Sequence, residues 1–468
     1  MISQLLNRDF MSKSTRRLHQ AIRAQSKKYE KGDSDVISLM EDAGVDLADL
    51  QRAESALKTV TDESSNSFEQ HGEVFFPRDP IVSIAQSALQ QYCDEKRQPN
   101  VISKPRGAAQ TKNVPVTNSE MDTTLAQFLS GPPPERGLWK KFELLDIGWA
   151  NCLTAIGVRK LFSRHPFNQE PAVPVKIGNR ARVILVGDWG SGLDRAQKVA
   201  GVIRDQIDDQ SAKSRDKHVI HLGDVYYSGL SREYENNFLK YWPVLKKEGD
   251  DITSWTLNAN HDMFSGGWGY FEYVLRDDAR FKRHRDRNGN ASSFFSLEND
   301  NWQILGLDTG YHDNLIFDAH DLYGDQAGWV ANRIAHNPDK KCILLSHHQP
   351  FSAFEKDGEK LLKKLEEPLV SGGVRAWFWG HEHRCALYQP REGIEYPRCI
   401  GHGGVPFYVS KKKLPFGVSY EYKEGFRDLV EKWNYFGFAV MDFEDQVINV
   451  RYINERGNTH HEERLVKT

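Results

Sequence analysis

His221-Leu222-Gly223-Asp224-Val225-Tyr226-Tyr227-Ser228-Gly229 is the stretch on which the reading of the chain turns. An apolar run breaks abruptly into a glycine, a carboxylate and two tyrosines. That is how a strand buried on both faces of an α/β sheet hands a polar group to the crevice past its carboxyl end. Upstream, Ala181-Arg182-Val183-Ile184-Leu185-Val186-Gly187 does the same for Asp188. Ala196, Val199, Ala200 and Ile203 then recur at helical spacing and predict a helix over 193–207. Asp188 and Asp224 are 36 positions apart, ample for a βαβ unit of about 30 residues. Downstream, Trp255-Thr256-Leu257 leads into Asn258-Ala259-Asn260-His261-Asp262, and Asn260 is again 36 positions on. Three successive strands therefore end in residue types that bind metal ions.

The second half repeats the scheme with histidines. Cys342-Ile343-Leu344-Leu345-Ser346 exposes His347 and His348 just before Pro350, which stops the ladder. Val374-Arg375-Ala376-Trp377-Phe378-Trp379-Gly380 delivers His381-Glu382-His383, and alternation by two along an extended backbone would point both histidines to one side. Trp302 to Asp308 reads as a strand into a turn, and Asp325 opens a helix. Gly437 to Phe443 and Val447 to Tyr452 read as an antiparallel hairpin.

Composition bounds the rest. The 468 residues are 39% apolar, with 11 Trp and 36 Gly, a globular balance. With 62 Lys plus Arg against 65 Asp plus Glu, the formal charge of −3 makes no global case for nucleic acid or an acidic membrane as partner. The first residues lack the charged-then-apolar pattern of a secretory signal, and no window approaches the roughly 18 apolar residues of a span. Five cysteines, never as Cys-x-x-Cys, fit reduced thiols, so the reading is cytoplasmic. Cys385, two residues from His383, reads as a plain thiol, and His402 as a loop residue near the site. Four regions are expected: a helical stretch over 1–94, a flexible linker over 95–135, an apolar segment over 136–180 that packs on the catalytic domain, and that domain over 181–468. The N-terminal region reads as an extension or a surface for a protein partner.

The five blocks around Asp188, Asp224, Asn260, His347 and His381 resemble those of the calcineurin-like metallophosphoesterases, and more narrowly the purple acid phosphatase branch. Most of that superfamily carries Asp-x-His in the first block, where this chain has Gly190; Tyr227, three residues after Asp224, matches the purple acid phosphatase pattern. Ala259 departs from the usual Gly-Asn-His, which would be costly if a positive φ were required there. The resemblance implies an α/β/β/α four-layer sandwich with a mainly helical N-terminal extension. It implies two metal ions, the first held by Asp188, Asp224, Tyr227 and His383, the second by Asp224, Asn260, His347 and His381, with Asp224 shared. Iron(III) is implied in the first position, and zinc, manganese or iron(II) suits the second.

Two cations about 3.5–4 Å apart can activate a hydroxide and clamp an in-line displacement at phosphorus. His261 is then the expected catalytic histidine, with Asp262 orienting its ring, and His348 is left to face substrate. Hydrolysis of a phosphorylated small molecule, a phosphomonoester, is the expected reaction. The alternatives are a phosphodiesterase acting on cyclic nucleotides or nucleic acid, and a non-catalytic binding module on the same fold. Val225-Tyr226-Tyr227, in place of Asp-Arg-Gly, argues against a Ser/Thr protein phosphatase.

Overall fold

The computed structural model describes residues 164–467 other than 313–319, 356, 408, 410–412 and 428–431, together with residues 23, 26–34, 37, 47 and 51. The chain divides into two units, Met1–Arg164 and His165–Thr468. In the first, residues 26–30 are helical and stop at Gly32, whose φ of 77° is the left-handed exit that glycine makes at little cost. The remaining N-terminal expectations lie outside the described residues: most of the helices over 13–31 and 36–60, the helix over 81–93, the linker, and the apolar segment over 139–162.

The second unit is built from strands β1 (Val175–Lys176), β2 (Arg182–Val186), β3 (Lys217–His221), β4 (Ile252–Thr256), β5 (Phe295–Glu298) and β6 (Trp302–Gly306). There follow β7 (Lys341–Ser346), β8 (Val374–Trp379), β9 (Cys385–Tyr388), β10 (Tyr396–Ile400) and β11 (Val418–Glu421). Last come a small pair, β12 (Gly425–Arg427) with β13 (Lys432–Asn434), and β14 (Gly437–Glu444), β15 (Val447–Asn454) and β16 (Thr459–Val466). One sheet runs β1-β5-β6-β7-β8-β10-β9-β11 and the other β16-β15-β14-β2-β3-β4. Within them β2, β3 and β4 are mutually parallel, as are β6, β7 and β8. The expected hairpin is β14–β15, which joins β2 antiparallel, and β16 extends it.

Period-two alternation sorts side chains into layers. Val183 and Leu185 of β2 pack between the sheets with Ile343 and Leu345 of β7 and Phe378 of β8. Ile184 and Val186 face the other way, onto Val199 and Ile203 of α1 (Asp194–Asp208). A short turn, α2 (Asn260–Phe264), begins just past β4. On the far side Leu344, Trp377 and Trp379 meet Val330 of α3 (Gln326–Ala335). The result is the four-layer α/β/β/α sandwich. Across β2 and β14 the buried Arg182 donates from Nε to Asp442 Oδ1 at 2.6 Å and from Nη2 to Oδ2 at 2.8 Å, a bidentate pair that locks the register Arg182↔Asp442.

Two core histidines make this unit acid-sensitive. Burial lowers the pKa of His218 to about 4 and of His284 to about 3, and His284 Nε2 accepts the Thr256 N–H at 3.1 Å, a bond its protonated ring cannot make. The unfolded chain takes up these protons near 6.5, the folded one only near 4 and 3. Stability is therefore full above pH 6.5 and falls through the window down to about pH 3, by roughly 2 kcal/mol for each histidine at pH 5. The urea midpoint should drop between pH 7 and pH 5; an unchanged midpoint contradicts the assignment.

Candidate metal centre

Five strand ends, three from one sheet and two from the other, meet at a single point. Asp188 follows β2, Asp224 follows β3 and Asn260 opens α2 after β4, while His347 follows β7, and His381 and His383 follow β8. All six are buried. Asp188, Asp224, His381 and His383 have φ of 54°, 77°, 67° and 50°, a left-handed conformation that costs a non-glycine residue on the order of 1–3 kcal/mol. The two histidines thus converge through left-handed turns and not through strand alternation, which corrects the expectation of an extended segment there. Ala259 sits at φ −136° and ψ 172°, extended backbone open to any residue, so its replacement of glycine carries no strain.

The acceptor atoms of one group face each other. His347 Nδ1 donates to the Leu222 carbonyl at 2.9 Å, and burial lowers the ring's pKa to about 3, so Nε2 presents a lone pair. That lone pair lies 3.0 Å from Asn260 Oδ1, 3.5 Å from Asp224 Oδ1 and 3.1 Å from His381 Nδ1. Oxygen and nitrogen lone pairs packed this closely repel unless a cation lies among them, so the donor set fits a metal ion. In the other group, donor atoms of Asp188, Asp224 and His383 lie within 4.8 Å of one another, and Asp224 belongs to both.

A phenol lies against this cluster, and it is that of Tyr226. Its hydroxyl lies 2.8 Å from Asp224 Oδ2, 3.2 Å from Asp188 Oδ1 and 3.1 Å from His383 Nε2. The expectation named Tyr227 here; the hydroxyl that lies against these three groups is that of Tyr226. Val225 makes an isolated parallel bridge to Gly190, and the turn over residues 226–228 that follows it carries the Tyr226 hydroxyl back onto Asp224. Tyr227 contributes its backbone: its carbonyl accepts His261 Nδ1–H at 2.6 Å. A Cβ at Gly190 would lie 2.7 Å from the Asp224 carbonyl oxygen, so no histidine fits where the Asp-x-His pattern has one.

His261 and Asp262 take different places. The His261 ring packs against Tyr226 and Phe264, each 4.6 Å away by centroid, with Nε2 4.0 Å from Asp224 Oδ2. Asp262 does not orient that ring, which corrects its expected role. Its carboxylate accepts the Val225 N–H at 3.1 Å and the Tyr234 hydroxyl at 2.6 Å, and so holds the backbone that carries Asp224. Burial and the charge of Asp224 raise its pKa well above the usual carboxylate range. His348 stands beside the centre, its ring 4.7 Å from that of His381 and stacked at 4.5 Å on His320, while Nδ1 pairs with Thr309 Oγ1 at 2.9 Å. His320 was not legible in the sequence: it stands alone, at no strand end and with no spacing to another ligand.

Tyr226→Phe should lower the metal retained after dialysis while Tyr227→Phe leaves it unchanged. Equal retention in both variants, measured by elemental analysis, would return the question to Tyr227.

Residues 181–385 match the Calcineurin-like phosphoesterase family. The chain is 22% identical over 321 residues to tartrate-resistant acid phosphatase type 5 of Oryctolagus cuniculus, an alignment covering 61% of this chain and 91% of that protein. Among solved structures it is similar to GAP50, the anchor in the inner membrane complex of Plasmodium, with TM-score 0.43 and 13% identity over 61% of this chain and 89% of that one. It is also similar to Vps29 of Chaetomium thermophilum, with TM-score 0.28 and 9% identity over 62% and 100%. No helix among the described residues is long and apolar enough to cross a membrane. Residues 181–385, the part of the chain similar to that family, hold every ligand candidate of the centre.

Proposed function

We propose that this chain is a metal-dependent phosphomonoesterase whose centre holds two cations, one among Asp188, Asp224, Tyr226 and His383 and one among Asp224, Asn260, His347 and His381. The observation that carries this reading is the set of facing lone pairs on His347 Nε2, Asn260 Oδ1 and Asp224 Oδ1. The first cluster has two carboxylates and a phenol, a hard anionic set that suits iron(III). The second has imidazoles and an amide oxygen, which suit zinc, manganese or iron(II). When bound, such a pair supplies Lewis acidity and an acidified water for in-line displacement at phosphorus.

The chain's own groups do the rest. His261 Nδ1–H is held on the Tyr227 carbonyl, which fixes the ring and leaves Nε2 on the side of the shared carboxylate. From there Nε2 can deliver a proton to the leaving oxygen or hold a nonbridging phosphoryl oxygen. His348, beside His381, is placed to contact the phosphoryl group from the opposite rim. The acid phosphatase relative supports monoesters as substrates.

Asp224→Ala or Asn260→Ala should abolish hydrolysis of an aryl phosphate monoester by metal-loaded protein, and full activity in either variant would sink the proposal. His261→Ala should retain metal but lose about 10²–10⁴ in kcat. An aryl phosphodiester assayed in parallel should turn over more slowly than the monoester; the reverse order would make the diester the substrate class.

A further inference from the structure

Cys385, His402 and His460 are far apart in sequence, yet one donor atom from each lies within 4.8 Å of the other two. Cys385 opens β9 in one sheet, His460 lies in β16 of the other, and His402 sits in the loop after β10. Cys385 and His402 are buried. Both ring nitrogens of His402 and Nε2 of His460 have no hydrogen-bond partner among the described residues. An unsatisfied buried polar atom is costly, so three of them gathered beside a thiol call for a ligand.

Local geometry aims these groups. In the β15–β16 ladder Tyr452 pairs with His461 and Ile453 with Thr459, which leaves His460 as the extra residue of a bulge. The bulge turns both histidines onto tyrosines: His461 stacks on Tyr420 at 4.5 Å and His460 on Tyr422 at 3.7 Å. His460 Nδ1 is taken by the Tyr420 hydroxyl at 3.0 Å, so Nε2 is the nitrogen left to bind. Gly437 keeps room beside His402: a Cβ there would lie 2.5 Å from Nε2.

We propose that Cys385, His402 and His460 form a third, mononuclear metal site for zinc, separate from the paired centre and with its fourth position open to water. One thiolate and two imidazoles are a borderline-soft set that selects zinc over magnesium or calcium. Tetrahedral zinc with these bonds has donor-to-donor edges of about 3.3–3.7 Å, inside the 4.8 Å that encloses the three donors. Binding releases the thiol proton of Cys385 to solvent and forms the sulfur–zinc bond. The ion would tie the two sheets together through the 401–404 loop. That loop packs directly behind the paired centre, with Gly403 N–H donating to the Gly187 carbonyl at 2.9 Å.

The test uses the full chain loaded with Zn²⁺ or Co²⁺. Wild-type protein should hold three metal equivalents, and the cobalt form should show a thiolate-to-cobalt charge-transfer band. Cys385→Ser should drop to two equivalents and lose the band, while Asp224→Asn, which removes the shared carboxylate, should keep the band and one equivalent. Should Cys385→Ser fail to fold, His460→Ala at the partly exposed bulge should weaken the band instead. A cobalt-loaded wild type without the band, or a band that survives Cys385→Ser or is unaltered in His460→Ala, overturns the proposal.

Discussion

The carboxylate of Asp224 must be reached from two sheets at once, and the packing of the second unit is arranged around that requirement. Its Oδ1 faces His347 from one sheet, while its Oδ2 faces Tyr226 and, farther off, His261 from the other. Such convergence needs backbone to pass close to backbone. A Cβ at Gly223, φ 104°, would lie 2.7 Å from His347 Nδ1, so any side chain there would push the two sheets' strand ends apart. The layers above and below are ordinary α/β packing; the junction between the sheets is where the sequence has least freedom.

Strain at that junction is offset by directed hydrogen bonds. Asp224 is held in its left-handed conformation by its neighbours: the Val225 N–H and the Tyr234 hydroxyl both go to Asp262. His381 is fixed by its own amide, which donates to Asp188 Oδ2 at 2.8 Å. A carboxylate of one cluster that accepts the N–H of a residue of the other couples the two clusters mechanically. Asp262 is therefore a positioning residue: it touches no proposed ligand atom, yet it sets where the shared carboxylate stands.

The physics of each element decides how much of this was legible in the sequence. Buried parallel strands announce themselves as apolar runs, and the residues just past their carboxyl ends are exposed to the crevice. Asp188, Asp224, Asn260, His347, His381 and His383 could all be read on that basis, and the structure brings all six together. Tyr226 could not be told from Tyr227, because the choice depends on the turn over residues 226–228, which no periodicity encodes. The place of Asp262 depends on a turn that folds back beneath its own neighbour. His460 reaches Cys385 only because a bulge adds one residue to β16, and the chain pattern carries no sign of it.

Gly190 has a consequence for what mutation can do to this centre. With the Asp224 carbonyl oxygen and Val225 Cα each within 3 Å of where a Cβ would stand, an imidazole cannot be introduced there while the Val225 bridge persists. Exchanging the phenol end of the centre for a histidine one is thus not a single-residue step. It would require residue 190 to gain a side chain, residue 226 to surrender its place, and the backbone between Asp224 and Tyr226 to take another path. Intermediates along that route would lack both ligands, which isolates the two designs from one another as separate solutions and not as neighbours in sequence space.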